Sequence, residues 1–323
     1  MSNELPKLNW FSPLPPSATD IAHFTTRVAP ALAARAQLAL WTNEAKVDQK
    51  VKNLATLRPF RLDRMKWADL NRADACLYNM GNNPLFHGAI WQLAREHAGI
   101  VILHDTRLHH FFDGLYRVQS RNLAAYQAVM EFYYGDEGRR DAADCFLNEA
   151  RNINEMAEKY PLTEHALENS LAIVVHTRQA FAELGQNQAR PVAYLPLPFA
   201  APPSKQARFR EPSKSGIADQ LIRLAMFGYI GRNRRLDAIL TALQGMSERE
   251  RFRLDVFGEI LDNEKGIKKK IRDLGLQDLV TLHGFVSEEK LDDALSRADL
   301  AINLRHPTMG EASGSQLRIW SHA

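Results

Sequence analysis

The chain has 323 residues, 45% of them apolar and 24% charged. This excludes a disordered or fibrous chain and, at roughly 150 residues per domain, predicts two domains. Lys and Arg number 41 against 38 Asp and Glu, a net charge of +3, so the overall charge does not point to nucleic acid as a partner.

Two cysteines, Cys76 and Cys145, exclude a disulfide scaffold. Each lies in an apolar or helical pattern and is expected to be a small core residue rather than a nucleophile. Residues 1–10 lack a basic-then-apolar leader pattern, and no apolar run reaches the ~18 residues of a membrane helix. The expectation is a soluble protein, or one lying on a surface.

In chain order, Leu8-Asn9-Trp10-Phe11 reads as a strand entering the turn Ser12-Pro13-Leu14-Pro15-Pro16. A helix follows with apolar positions Ile21, Phe24, Val28 and Leu32, and Ser17, Thr19 and Asp20 as candidate caps. Residues 38–41 and 75–78 read as strands, the second followed by a helix opening at about Pro84. Residues 99–103 form a wholly apolar strand that ends in His104-Asp105, and residues 108 to about 160 read as almost wholly helical. Two more strands are expected at 171–175 and 192–195. Strands apolar on both faces, alternating with helices, predict an α/β fold with a parallel sheet covered on both sides.

The composition changes between Pro196 and Gly216, where five prolines and several basic residues occur with little periodicity. The predicted organisation is a first domain over 1–198, a linker over 199–218 and a second domain over 219–323. The second domain has strands near 224–227, 254–257, 279–282 and 300–303, with helices at about Leu236, Lys265, Glu288 and Ser315. Two such halves bind ligands at the carboxyl ends of their strands, in the cleft between them. The last residues, 316–323, read as a helix without a terminator, so the second domain reads as incomplete.

The strand ends carry the chemistry. His104 can donate to a ligand oxygen or move a proton; the plainer reading is a histidine bonded to backbone. A metal site of His87, His104, Asp105 and Asp113, of the HD phosphohydrolase type, is disfavoured because that pair sits on helices and this one ends a strand. His109 and His110, adjacent in a helix start, point about 100° apart and do not converge. Phe227-Gly228-Tyr229-Ile230-Gly231-Arg232-Asn233-Arg234-Arg235-Leu236 is a strand, a glycine turn and a basic helix start. It suits a diphosphate but matches neither the dinucleotide nor the Walker pattern. The segment from Arg305 to Ser315 combines Glu311, small residues and a helix start. It suits a polyhydroxylated ligand carrying phosphate, or is a plain loop capped by Ser313. Lys46, Lys50, Lys52, Arg58, Arg61, Arg64 and Lys66 are diluted by acidic residues. They form a solvated face or contact an anionic membrane.

Together these residues resemble the retaining glycosyltransferases of GT-B fold, family 4, in the branch that assembles bacterial polysaccharide and lipopolysaccharide. The segments that carry the likeness are Ser12-Pro13-Leu14-Pro15-Pro16 with Ile21-Ala22; Tyr78-Asn79-Met80-Gly81-Asn82 with His87; Val101-Ile102-Leu103-His104-Asp105; and Phe227-Gly228 through Leu236 with Leu304 through Gly314. The resemblance implies two Rossmann-like domains facing a cleft and transfer of a sugar, with retention, from a UDP- or GDP-type sugar to a glycan or lipid-linked acceptor. It implies His104 and Glu311 as catalytic residues. Gly228, Arg234, Arg235, Ser313 and Gly314 would be donor-binding, and Thr19, Asp20 and Asn82 would form the acceptor-side loop. No cofactor, metal or nucleic acid is implied, nor a protein nucleophile, since the donor diphosphate acts as base. The implied location is the cytoplasm, peripheral to the inner membrane face. Departures from the pattern are Tyr229 in place of Arg, with Arg232 or Arg235 as substitutes, Thr19-Asp20 in place of Ser-Gly, His23 in place of Asp, and Ile319 in place of a second glutamate. The family continues beyond this helix, so the resemblance implies a missing carboxyl-terminal segment. The alternative is a degenerate, non-catalytic relative that binds a glycan or a protein.

Overall fold

The computed structural model describes residues 4–17, 19–148, 152–186, 189–199, 221–261 and 263–322. The expected linker, from residue 200 on, lies outside them. The chain divides into two compact units, Met1–Pro198 with Met309–Ala312, and Phe199–Thr308 with Ser313–Ala323.

The first unit holds seven parallel strands: β1 (Lys7–Phe11), β2 (Gln37–Thr42), β3 (Thr56–Pro59), β4 (Ala75–Met80), β5 (Gly99–Leu103), β6 (Ser170–Val175) and β7 (Val192–Tyr194). Their order is β3-β2-β1-β4-β5-β6-β7. Alternate residues of a strand point to opposite faces, and β5 divides its side chains in this way. Val101 and Leu103 join Trp91 and Phe112 in one core, while Ile102 joins Trp10 and Phe24 in the other. Burial on both faces explains why this strand has no polar residue.

Helix Asp20–Ala33 is capped by Thr19, whose hydroxyl accepts from Ile21 N at 3.3 Å. Helix Pro84–Glu96 is capped by Asn83, with proline in its first turn. The helical stretch expected from 108 to 160 is broken into His109–Asp113, a π-helical turn over Gly114–Gln119, Leu123–Asn148 and Ile153–Lys159. Within Leu123–Asn148, Gly135 takes φ 66°, a conformation glycine adopts without steric cost. Strand β3 was not expected from the sequence. It is an exposed edge strand ending in Pro59, a residue tolerated there because it lacks an N–H to pair. Cys76 and Cys145 are buried free thiols, and burial pushes the Cys76 thiol up, away from nucleophilic use.

The second unit holds four parallel strands in the order β10-β9-β8-β11: β8 (Ile222–Phe227), β9 (Phe252–Phe257), β10 (Val280–Gly284) and β11 (Leu300–Ala301). Leu224, Met226, Leu254 and Val256 pack with Ile239, Leu240 and Ile271 on one face. Ala225, Phe227 and Phe257 pack with Leu291 and Leu295 on the other.

In both sheets the strand order reverses next to the first strand of the unit, between β1 and β4 and between β8 and β11. Loops leaving the carboxyl ends on either side of such a reversal diverge and leave a crevice, where open α/β sheets bind ligands. Among the described residues no helix is long and apolar enough to cross a membrane.

Candidate functional site

At the reversal of the first sheet, the loop after β1 supplies Ser12 and the end of β4 supplies Asn79. The Asn79 amide donates to Ser12 Oγ and to Thr25 Oγ1, each at 2.9 Å, and these two hydroxyls lie 2.6 Å apart. The amide oxygen of Asn79 lies 3.2 Å from His104 Nε2, just past the end of β5. The His104 ring stacks edge-on against Phe24 and lies 5.0 Å from the His176 ring. His87 bonds the Asn79 carbonyl oxygen through Nδ1 at 3.0 Å. Burial, with His176 and His87 nearby, holds the His104 ring well below the usual histidine range. Burial lowers His87 to about 4. His104 is therefore a neutral hydrogen-bonding group.

Asn82 is held firmly. Its N–H donates to Asp105 Oδ2 at 2.9 Å, and its side-chain oxygen accepts from Phe111 N at 3.0 Å. This residue braces the loops after β4 and β5 against each other. Gly81 is packed so closely that a Cβ there would lie 2.5 Å from Ile21 Cδ1. Asp20, the first residue of its helix, is exposed, where a carboxylate favours the helix N-terminus.

The segment Met309–Ala312 belongs to this unit. Thr106 N and Arg107 N donate to Met309 O at 2.8 and 3.0 Å. Gly310, at φ 77°, sits where a Cβ would overlap Thr106 Oγ1. Glu311 Oε2 accepts from Met309 N at 2.7 Å. The turn bearing Glu311 is thus tied to the chain two residues beyond His104.

The reversal of the second sheet has a different character. Arg234 is 5% exposed. Its guanidinium donates to Asn303 Oδ1 at 2.7 Å, to the Phe227 carbonyl at 3.1 Å and to Ser315 Oγ at 3.1 Å. It therefore spans the loops after β8 and β11. Asn303 in turn donates to Ser313 Oγ at 3.1 Å, and Ser313 caps helix Gly314–Trp320 by accepting from Gln316 N at 3.2 Å. Gly228 ends β8 at φ 110°, and a Cβ there would lie 2.6 Å from Arg234 Nη2. Gly258 and Gly284 end β9 and β10, also at positive φ; a Cβ on Gly258 would overlap the Gly228 carbonyl oxygen. All three turns take the left-handed region that favours glycine, and at Gly228 and Gly258 a Cβ would also collide.

Of the residues expected from the sequence, Gly228, Arg234, Ser313 and Gly314 come together in this unit. Arg235 does not join them: it takes φ 55° before helix Leu236–Gln244 and pairs loosely with Asp237 at 3.8 Å. Ile319 is half-buried and packs against the cluster of Phe227, Phe257, Leu291 and Leu295. The site residues expected from the sequence did not include Ser12, Thr25, Asn79 and His176 of the first unit or Asn303 and Ser315 of the second, although Ser12, Asn79 and Ser315 lay in segments it singled out. Asn79 carried a usable signal, a polar residue inside a buried apolar strand.

The alternative metal grouping does not form. Asp113 is held by Arg117 through two bonds of 2.8 Å. Among the described residues no three His, Cys, Asp or Glu side chains converge as ligands would. His109 is buried and bonded to Tyr160 O and Tyr126 Oη, and His110 bonds Asn154. In the basic cluster, Arg61 pairs with Asp63 and Arg58 with Asp69.

Residues 207–317 match the family model described as Glycosyl transferases group 1. No curated protein matches the chain. Among solved structures, sucrose-phosphate synthase from Thermosynechococcus elongatus is similar at TM-score 0.57 and 16% identity, over 98% of this chain and 79% of that one. WaaG, a glycosyltransferase involved in lipopolysaccharide biosynthesis, is similar at TM-score 0.53 and 15% identity, over 98% and 79% of the two chains. The fold is that of the GT-B glycosyltransferases. The GT-B fold and the group 1 match, which spans Gly228, Arg234, Glu311 and Ser313, support glycosyl transfer as the activity.

Proposed function

We propose that the chain is a family 4 enzyme that transfers a sugar from a nucleoside diphosphate sugar, of UDP or GDP type, to a glycan or lipid-linked acceptor with retention of anomeric configuration. The observation that carries this reading is Arg234, a buried guanidinium fixed at the reversal of the second sheet, within the segment matching the group 1 family.

The demanding part of the reaction is charge. A diphosphate departs from an oxocarbenium-like carbon, and groups already oriented toward that charge lower the barrier most. Arg234 and the start of helix Gly314–Trp320 are the groups for the diphosphate in this reading, and they need no metal to supply positive charge. His104 and Glu311 orient the sugar. His104 is suited to this work because it is neutral and hydrogen-bonding rather than cationic. The acceptor attacks from the face the diphosphate leaves, and a diphosphate oxygen takes its proton, so no protein nucleophile is required. Thr19, Asp20 and the basic side chains from Lys46 to Lys66 lie on the acceptor-side unit. They suit an acceptor presented at an anionic membrane face, with the protein peripheral to it.

Calorimetric titration with UDP, GDP and their sugar conjugates, with and without magnesium, tests the reading. Micromolar binding of one base, followed by sugar transfer, is the expected result. A folded chain that binds none would refute it. That result would favour the degenerate reading, which Ile319, half-buried against the apolar cluster, also supports, because the resemblance implied a ribose-binding glutamate at that position.

A further inference from the structure

The polar cluster around Asn79 adjoins His104. Ser12 Oγ lies 2.8 Å from the Pro13 carbonyl and 2.6 Å from Thr25 Oγ1, and Thr25 Oγ1 lies 3.0 Å from the Ile21 carbonyl. The hydrogen of one hydroxyl fills the 2.6 Å contact between the two and that of the other goes to a carbonyl, so neither has a hydrogen left for Asn79. With its nitrogen toward the hydroxyls, Asn79 donates to both. Turning the amide over would set its oxygen against two hydroxyls that have no hydrogen to give it. It would also leave an amide N–H without an acceptor in a buried site, at a cost of about 1–3 kcal/mol. The amide orientation is therefore dictated by the hydrogen count.

His104 Nε2 then faces a pure acceptor, Asn79 Oδ1, and must carry the ring proton. The other ring nitrogen, Nδ1, makes no hydrogen bond within the described residues and is not sealed from solvent. The neighbouring histidines have the opposite arrangement. His87 Nδ1 bonds the Asn79 carbonyl and His176 Nδ1 the Leu195 carbonyl, so each carries its proton on Nδ1. The titratable side chains around His104 are thus His87, His176 and, beside Gly81, Asp105.

We infer that Asn79 is a positioning residue: with Ser12 and Thr25 it holds His104 as the neutral Nε2–H tautomer and leaves Nδ1 as an acceptor for a hydroxyl of the donor sugar. The hydroxyl contact rests on the glycosyl-transfer reading; the tautomer does not.

The test is a long-range 1H–15N correlation on the full chain labelled with 15N-histidine, with the His104 signals assigned by their loss in His104→Gln. The expected result, without ligand, is the Nε2–H pattern at neutral pH. A proton on Nδ1, or an averaged mixture, overturns the inference. Asn79→Leu is expected to release the tautomer to a mixture and lower kcat about ten- to hundredfold, the size usual for removing the partner that orients a functional histidine. An unchanged His104 signal in that variant overturns the role of Asn79. Asn79→Asp supplies a carboxylate in the same place. It should let His104 hold a second proton near neutral pH and create an acid limb in kcat that recovers as pH rises; absence of that limb in an active variant overturns the link to catalysis. If the wild type binds no nucleotide sugar, the glycosyl-transfer reading fails while the tautomer result stands.

Discussion

The two reversal points solve the same topological problem with opposite chemistry. Between β1 and β4 the loops are joined by a neutral network of Ser12, Thr25, Asn79 and His104. Between β8 and β11 they are joined by one cation, Arg234, beneath a stack of glycine turns. A neutral network discriminates by direction: it can tell a hydroxyl that donates from one that accepts. A fixed guanidinium instead discriminates by charge and suits phosphate oxygens. Under the proposed function, hydroxyl groups suit the first unit's network and a diphosphate suits the second unit's guanidinium.

Acid should separate the two units most strongly. His87, His104, His109, His110, His165 and His176, all of the first unit, are lowered by burial, His87 and His109 to about 4. Between about pH 6.5 and pH 4 the unfolded chain binds protons that the native rings refuse, so stability falls as pH falls. His87 and His109 should each account for about 3 kcal/mol of that loss. Trp10, Trp41 and Trp91 are buried in this unit. Their fluorescence should therefore change on acidification before the exchange protection of β8 and β9 is lost; simultaneous loss would remove the distinction.

Arg234→Ala comes next. Losing charge-assisted bonds worth about 1.5–3 kcal/mol should weaken nucleotide-sugar binding about ten- to hundredfold by calorimetry. His104→Gln should leave the affinity for the free nucleotide within about twofold. Equal losses in both variants would erase the proposed division of labour.

Gly258→Ala probes the glycine stack. A Cβ overlapping the Gly228 carbonyl, at φ 119°, should cost about 1–3 kcal/mol of stability in urea. The smallest effect is expected for Ser313→Ala, which removes a helix cap and should cost about 1 kcal/mol in thermal unfolding.

The cores were legible in the sequence because strands buried on both faces cannot hide. Residues 99–103 could be little else, and the observed strand is Gly99–Leu103. Edge strand β3 was not legible, since exposure and Pro59 remove both apolar pattern and pairing signal. His104 and Arg234 were singled out because they lie just past buried strands, and Glu311 through the family resemblance of its loop. Their supports were not, because Ser12, Thr25, Asn79 and Asn303 matter through partners far along the chain. Arg234 and Arg235 were expected at the same site. Two adjacent arginines look alike in a sequence, and only the left-handed backbone at position 235 shows which one turns inward.

The Asn79 cluster also bears on how the chain reaches its native state. Its hydrogen bonds join residues 13 to 67 positions apart, drawn from the loop after β1, the first helix, the end of β4 and the end of β5. Contacts of such sequence separation form after local helices, because each closes a long loop. In a refolding experiment the His104 signal should therefore regain its native form after the far-ultraviolet helical signal has recovered, which would make the imidazole a reporter of completed assembly.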